Sequence, residues 1–305
     1  MPLLSGPLLY AIFWLGAPWA LFFAIFLYYE QYPVFSPPVK KASSALSPQR
    51  RQKVLCTKWN CVRCAKNESL IASAKEALET SFTQADDYGR IATALETRHE
   101  EHLLQLDFPV QMSIWEQDAF SMSFRSDFDM LSNALEAIKE DCQKAFDCPS
   151  MWSRNGLGEN TWFIFPFMNQ GIWQDEHCSV CPKISSVLYR LRNSIVDCVF
   201  GNAFISMIPS DCVIAEHCGL TNARLRCHLG VEVPDDSEHC FMQVADKKFT
   251  WTNGDCTLID ESFPHSVSLK GSAEDRTVLV VDFWHPMLSE NERNCLKVIF
   301  STSDG

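Results

Sequence analysis

The chain of 305 residues is 47% hydrophobic, carries a formal charge of -12 and contains 14 cysteines, a length that suits one ordinary domain with additional N-terminal segments. The acidity is concentrated beyond residue 66, because residues 1–66 hold eight Lys or Arg against one acid, Glu30. An acidic body repels phosphate backbones, and no basic stripe interleaved with aromatics reverses this, which excludes nucleic acid as a partner.

After a short tail (1–7), residues 8–29 contain no charged side chain and have the length needed to cross about 30 Å of hydrocarbon as a helix. Trp14, Trp19, Tyr28 and Tyr29 suit the headgroup zone. No basic n-region precedes the segment and no small-x-small site precedes Glu30, so it reads as a single-pass anchor, kinked at Pro18, and not as a cleaved leader. The bases that follow it would place the remaining chain in the cytosol. The many cysteines and the acceptor Asn67-Glu68-Ser69 favour instead a type II protein facing the ER or Golgi lumen.

Residues 30–60, with Pro33, Pro37, Pro38 and Pro48 among Ser and Lys, form an extended tether. Residues 61–150 are mostly helical in pattern. Leu70, Ala74, Ala77, Leu78 and Phe82 share one face, a break falls near Gly89, and Ile91, Ala94 and Leu95 follow, predicting a helix pair. Phe128, Leu131, Leu135, Ile138 and Cys142 predict a further helix over residues 127–146.

Over residues 151–300 the period moves toward two. Strands are predicted at 162–168, 203–208, 212–216, 225–233, 241–244, 248–251, 255–259, 266–269 and 278–283, with one helix at 184–196 and a tail at 301–305. Short strands separated by Pro209-Ser210-Asp211, Pro234-Asp235-Asp236, Asn253-Gly254 and Lys270-Gly271-Ser272 predict a mainly β fold with α, two facing antiparallel sheets in a jelly roll open at one end.

The densest polar cluster runs from Glu216 to Gly230. By period two, Arg224, Arg226 and His228 share one face, and Leu225, Cys227 and Leu229 the other. Either the charged row is solvated, or it lines the cup, where two arginines need an anionic guest such as a dicarboxylate. His217 and His265 could supply two ligands to a non-haem metal that keeps open positions. The pairs Cys61/Cys64 and Cys178/Cys181 have the composition of a four-thiolate zinc site. Disulfides rank ahead of zinc if the domain is lumenal, and Cys142 with Cys148 could form another.

Three runs of residues, His217-x-Gly219-x-Thr221-Asn222-x-Arg224-x-Arg226-x-His228-Leu229-Gly230, Asp260-x-Ser262-Phe263-x-His265 and Val281-Asp282-x-Trp284-His285-Pro286, together resemble the aspartyl/asparaginyl β-hydroxylase family. The anchor, the Cys61-Val62-Arg63-Cys64 element and the helix pair look most like its smaller membrane-bound members, the aspartate β-hydroxylase domain-containing proteins. The resemblance implies a double-stranded β-helix and a dioxygenase that uses Fe(II), 2-oxoglutarate and O2 to hydroxylate the β-carbon of Asp or Asn in a peptide or protein. It implies that His217 and His265 hold the iron. Arg276 and Ser206 would hold the distal carboxylate of 2-oxoglutarate, Arg226 and His228 its other end, and Arg224 the acidic side chain of the substrate. Gly219 stands where most of the wider superfamily carries a carboxylate ligand, an absence the resembled family shares. Cys218 stands where the family pattern has a hydroxyl residue. The alternatives are an inactive membrane-bound scaffold that retains the pocket and a thiol-based zinc or redox protein.

Overall fold

In the computed structural model, residues 68–82, 88–97, 102–115, 121–157 and 160–302 are described. The anchor, the tether and Cys61-x-x-Cys64 lie outside them. Among the described residues no helix is long and apolar enough to cross a membrane. The chain divides into two units, Met1–Pro48 and Gln49–Gly305, and all that follows concerns the second.

Strands with both faces covered are continuous apolar runs: every residue of β5 (Ala203–Ile208) and β12 (Arg276–Trp284) is buried. These two pair antiparallel at the centre of a larger sheet. Its order is β1-β10-β7-β12-β5-β3-β2, comprising β1 (Ile114–Trp115), β10 (Cys256–Ile259), β7 (Arg224–Glu232), β3 (Asn160–Asn169) and β2 (Ser153–Leu157), with β4 (Ile172–Trp173) on β3. A smaller sheet runs β6-β11-β8-β9, from β6 (Val213–His217), β11 (His265–Ser268), β8 (Phe241–Val244) and β9 (Lys247–Phe249). Ile164, Phe204, Val278 and Val280 of the first pack with Ile214, Met242, Val244 and Val267 of the second in one core, so the sheets face each other as the alternation predicted.

The outer face of the large sheet is covered by helices. α3 (Arg125–Asn133) brings Phe128 against Phe283, which also stacks on Phe124, and α4 (Leu135–Phe146) lies across β7. A second core joins α1 (Glu68–Ser81), α2 (Gly89–Glu96) and α7 (Glu290–Ile299) to residues 195–200.

Four expectations change. The single helix over 127–146 is two, broken at Ala134 after Ser132-Asn133, residues of low helix propensity. The helix expected at 184–196 ends early, as α6 (Pro182–Leu188) behind α5 (Asp175–Val180), because the Asp127 carboxylate accepts from the backbone of Arg192 and Asn193 at 3.0 and 3.1 Å. β1, β2 and β4 went unpredicted: two are two residues long, and Ser-Arg-Asn-Gly-Leu has little β character. Cys142, Cys148, Cys178 and Cys181 are free thiols, so the expected disulfides are absent among the described residues.

α6 starts without a side-chain cap of its own. Asp141 of α4 supplies it across space, its Oδ2 accepting from Lys183 N at 2.6 Å and Ile184 N at 3.0 Å. Asp141→Ala is therefore expected to cost about 2 kcal/mol, the upper end for a lost N-cap, because the carboxylate is buried. A urea titration of the two proteins reads the difference.

Candidate active site

The smaller sheet brings two histidines together at one end of the sandwich. His217, the last residue of β6, pairs in register with His265, the first of β11, and their ring centroids are 4.2 Å apart. Each ring is oriented by a carbonyl two residues earlier: His217 Nδ1 lies 2.9 Å from Ala215 O, and His265 Nδ1 lies 2.9 Å from Phe263 O. A carbonyl only accepts, so each Nδ1 carries a proton, which leaves Nε2 as the ring position open to a metal. Burial lowers the pKa of His265, which keeps its ring neutral as a metal ligand must be. Two imidazoles on adjacent strands fit a borderline divalent cation with several positions open. Among the described residues no group of three His, Cys, Asp or Glu converges as a ready metal site.

β7 crosses the large sheet beside them, and here the structure decides between the two sequence readings. Arg224 and His228 are buried and Arg226 nearly so, while Leu225, Cys227 and Leu229 are buried on the opposite face. The polar row therefore lines the cup. His228 Nδ1 accepts from Trp251 Nε1 at 3.1 Å, so its Nε2 carries the proton and can donate. Burial, reinforced by Arg276, holds its pKa down to about 3, so this donor is neutral.

Arg224 and Arg226 are both paired internally. Asp282, 0% exposed, accepts from Arg226 Nε at 2.7 Å and Nη2 at 3.0 Å, from Arg224 Nη1 at 3.1 Å and from Asn202 Nδ2 at 2.8 Å. Glu261 Oε2 lies 2.6 Å from Arg226 Nη1 and 3.6 Å from Arg224 Nη2. Burial alone would raise the Glu261 carboxyl. Arg226, with Arg224, outweighs it and holds the group below the usual carboxylate range. Glu261 also accounts for Gly219: a Cβ there would stand 2.8 Å from Glu261 O and 3.0 Å from Glu261 Cβ, so no side chain can project from that position.

Arg276 differs. It is 2% exposed, its guanidinium lies 4.3 Å over the Trp251 ring, and its Nη2 donates to Ser206 Oγ at 3.3 Å. Its Nε and Nη1 have no hydrogen-bond partner among the described residues. Burial lowers its pKa to about 10, and only the thiols of Cys240 and Cys212 oppose this. A buried guanidinium without a counter-ion is costly unless an anion is meant to arrive.

Segment 102–115 braces the site from outside. His102 meets Ser262 O at 2.8 Å, Leu103 N donates to Leu220 O, Asn222 bonds both backbone groups of Leu106, and Asp260 N donates to Ser113 O. Two surface cavities of about 530 and 600 Å³ lie elsewhere, both bordered by Tyr189, and contain none of these site residues.

Sequence reasoning placed His217, His265, Ser206, Arg224, Arg226, His228 and Arg276 in one pocket region, and each lies on a strand that borders the interior. It missed Glu261, Asp282 and Trp251 as working neighbours. Asp282 had a signal, a lone carboxylate within the apolar run Val278–Phe283, which a buried strand tolerates only when paired. His285 is structural, stacked 3.8 Å from Phe108.

Two histidines at one end of an antiparallel sandwich, beside an arginine-lined interior, define a candidate metal- and anion-binding site. The sequence pattern of the family described as Aspartyl/Asparaginyl beta-hydroxylase matches residues 125–286, more than half of the chain, and the protein belongs to that family. It is 32% identical over 268 residues to human Aspartate beta-hydroxylase domain-containing protein 2, covering 81% of this chain and 71% of that one. It is 40% identical over 185 residues to the mouse protein of the same name, covering 58% and 53%. Thus the chain spans about half the length of the mouse relative. With mouse Aspartyl/asparaginyl beta-hydroxylase it shares 31% identity over 138 residues, 45% of this chain and 18% of that one. A Trichoplax adhaerens prolyl hydroxylase solved with a peptide fragment overlaps 58% of this chain and 96% of its own at 13% identity, with a TM-score of 0.36, too distant to bear on function.

Proposed function

We propose that this protein is an Fe(II)- and 2-oxoglutarate-dependent dioxygenase that hydroxylates the β-carbon of Asp or Asn in a peptide or protein. The observation that carries the reading is Arg276, a buried guanidinium with two donor nitrogens unmet and, among the described residues, no acid paired with it, as a site for an incoming carboxylate requires. His217 and His265 would hold the metal through Nε2, with Phe263 O and Ala215 O fixing their tautomers. Arg276 and Ser206 would take the distal carboxylate of 2-oxoglutarate, Arg226 and His228 its other end, and Arg224 the acidic side chain of the substrate. Bound iron with 2-oxoglutarate and O2 supplies the oxidation; the chain itself binds, orients and keeps water from the reacting carbon. Residues 8–29 would anchor the protein in an ER or Golgi membrane with the domain lumenal, and endoglycosidase sensitivity at Asn67 tests that orientation.

Succinate release from 2-oxoglutarate by the purified protein with Fe(II) and candidate peptides tests the activity. His217→Ala and His265→Ala are each expected to abolish it and to weaken Mn(II) binding at least 100-fold, read by calorimetry, since each removes half of the protein's ligand set. Metal bound without succinate from any substrate would favour a binding scaffold. The internal pairing of Arg224 and Arg226 is the observation consistent with that outcome.

A further inference from the structure

The three arginines of the cup are in two different states. Arg276 awaits an anion, whereas Arg224 and Arg226 already share Asp282 and Glu261. The two acids are held differently. Asp282 is a strand residue with both backbone groups bonded, its N to Asn202 O and its O to Ile195 N, and it gathers four side-chain donors. Glu261 sits in the turn between β10 and β11 and meets the arginines through a single oxygen. Its other oxygen, Oε1, is 3.7 Å from His265 Nε2, beyond hydrogen-bond distance.

A ligand carboxylate entering this end of the cup would use the same two donors, Arg226 Nη1 and Arg224 Nη2. With Glu261 and Asp282 both in place the arginine pair is neutralised; with Glu261 withdrawn it carries one net positive charge in a desolvated wall. We propose that Glu261 is a tethered carboxylate that fills the Arg224–Arg226 subsite of the resting protein and must be displaced by the second acidic group of a ligand. Glu261 then sets the affinity of the site for acidic ligands and rejects those too weak to replace it. This rests on the reading of Arg276 as the hold for the first carboxylate.

Butyrate, which can engage only one subsite, and the dicarboxylates glutarate and 2-oxoglutarate separate the two ideas in calorimetric titrations of the metal-stripped full chain. Wild type is expected to bind glutarate no more than a few-fold tighter than butyrate. Glu261→Gln and Glu261→Ala, checked for folding by thermal melts, are expected to tighten glutarate and 2-oxoglutarate at least tenfold, and butyrate by much less, since only a dicarboxylate gains the vacated subsite in addition to Arg276. In the unaltered protein, the Glu261 side-chain carboxyl 13C resonance is expected to shift on saturation with glutarate but not with butyrate. Dicarboxylate affinity unchanged or weakened in both variants, with butyrate binding retained and the resonance unmoved, overturns the role of Glu261 and leaves that of Arg276 standing. Failure of butyrate to bind wild type overturns the reading of Arg276, and this proposal with it.

Discussion

Arg276→Met is expected to make the protein more stable while removing its affinity for 2-oxoglutarate. The side chain is 2% exposed, and two of its nitrogens have no hydrogen-bond partner among the described residues. An unsatisfied buried donor costs about 1–3 kcal/mol, and even a paired buried charge, replaced together with its partner by apolar residues of similar volume, is often neutral or stabilising by roughly 1–4 kcal/mol. Methionine keeps contact with the Trp251 ring, which Arg276 now covers at 4.3 Å. The melting temperature should therefore rise. A carboxylate held here gains two charge-assisted hydrogen bonds of about 1.5–3 kcal/mol each, so their loss should weaken 2-oxoglutarate by two decades or more at roughly 1.4 kcal/mol per decade. Arg276→Lys should recover only part of this, because an ammonium cannot grip a carboxylate at two points. Thermal melts and calorimetry read both quantities, and a less stable Met variant would make Arg276 a structural residue.

Asp282→Ala should be the most damaging single change to the fold at this site. The carboxylate is 0% exposed and accepts from Arg224, Arg226 and Asn202. Removing it leaves Arg224 buried with only Phe200 O at 2.7 Å and the distant Glu261, and leaves Arg226 with Glu261 alone as its acid. Breaking one side of a buried pair costs about 3–5 kcal/mol, a large fraction of the stability of a domain this size. Urea denaturation should show that loss. Asp282→Asn, which keeps shape and one acceptor but no charge, should fall between. The order wild type, Asn, Ala distinguishes charge compensation from packing, since a packing role would leave Asn close to wild type.

Some elements were readable because their cause is local. β5 and β8 were predicted residue for residue, from apolar runs bounded by turn residues. β11 begins one residue earlier than expected, and that residue is His265, which the strand places opposite His217. The helix over 127–146 was half right. Its spacing is helical throughout, interrupted only at the low-propensity Ser132-Asn133. The helix expected to reach 196 ended for a distant reason, the Asp127 carboxylate on the backbone of Arg192 and Asn193, 65 and 66 residues away. Nothing within a local window contains that information.

By itself the sequence determined the antiparallel mainly β architecture, the pairing of His217 with His265 as candidates, and the alternation that puts Arg224, Arg226 and His228 on one face. Periodicity and turn chemistry act over a few residues and survive in any context. Only the tertiary structure decided which face of β7 points inward, because both faces proved to be covered, one by helices and one by the facing sheet. It alone showed that two of the three cup arginines are neutralised and that one, among the described residues, is not. Charge state in a desolvated wall depends on which acids the fold brings within 3 or 4 Å, and Asp282 and Glu261 reach Arg226 across 56 and 35 positions of sequence.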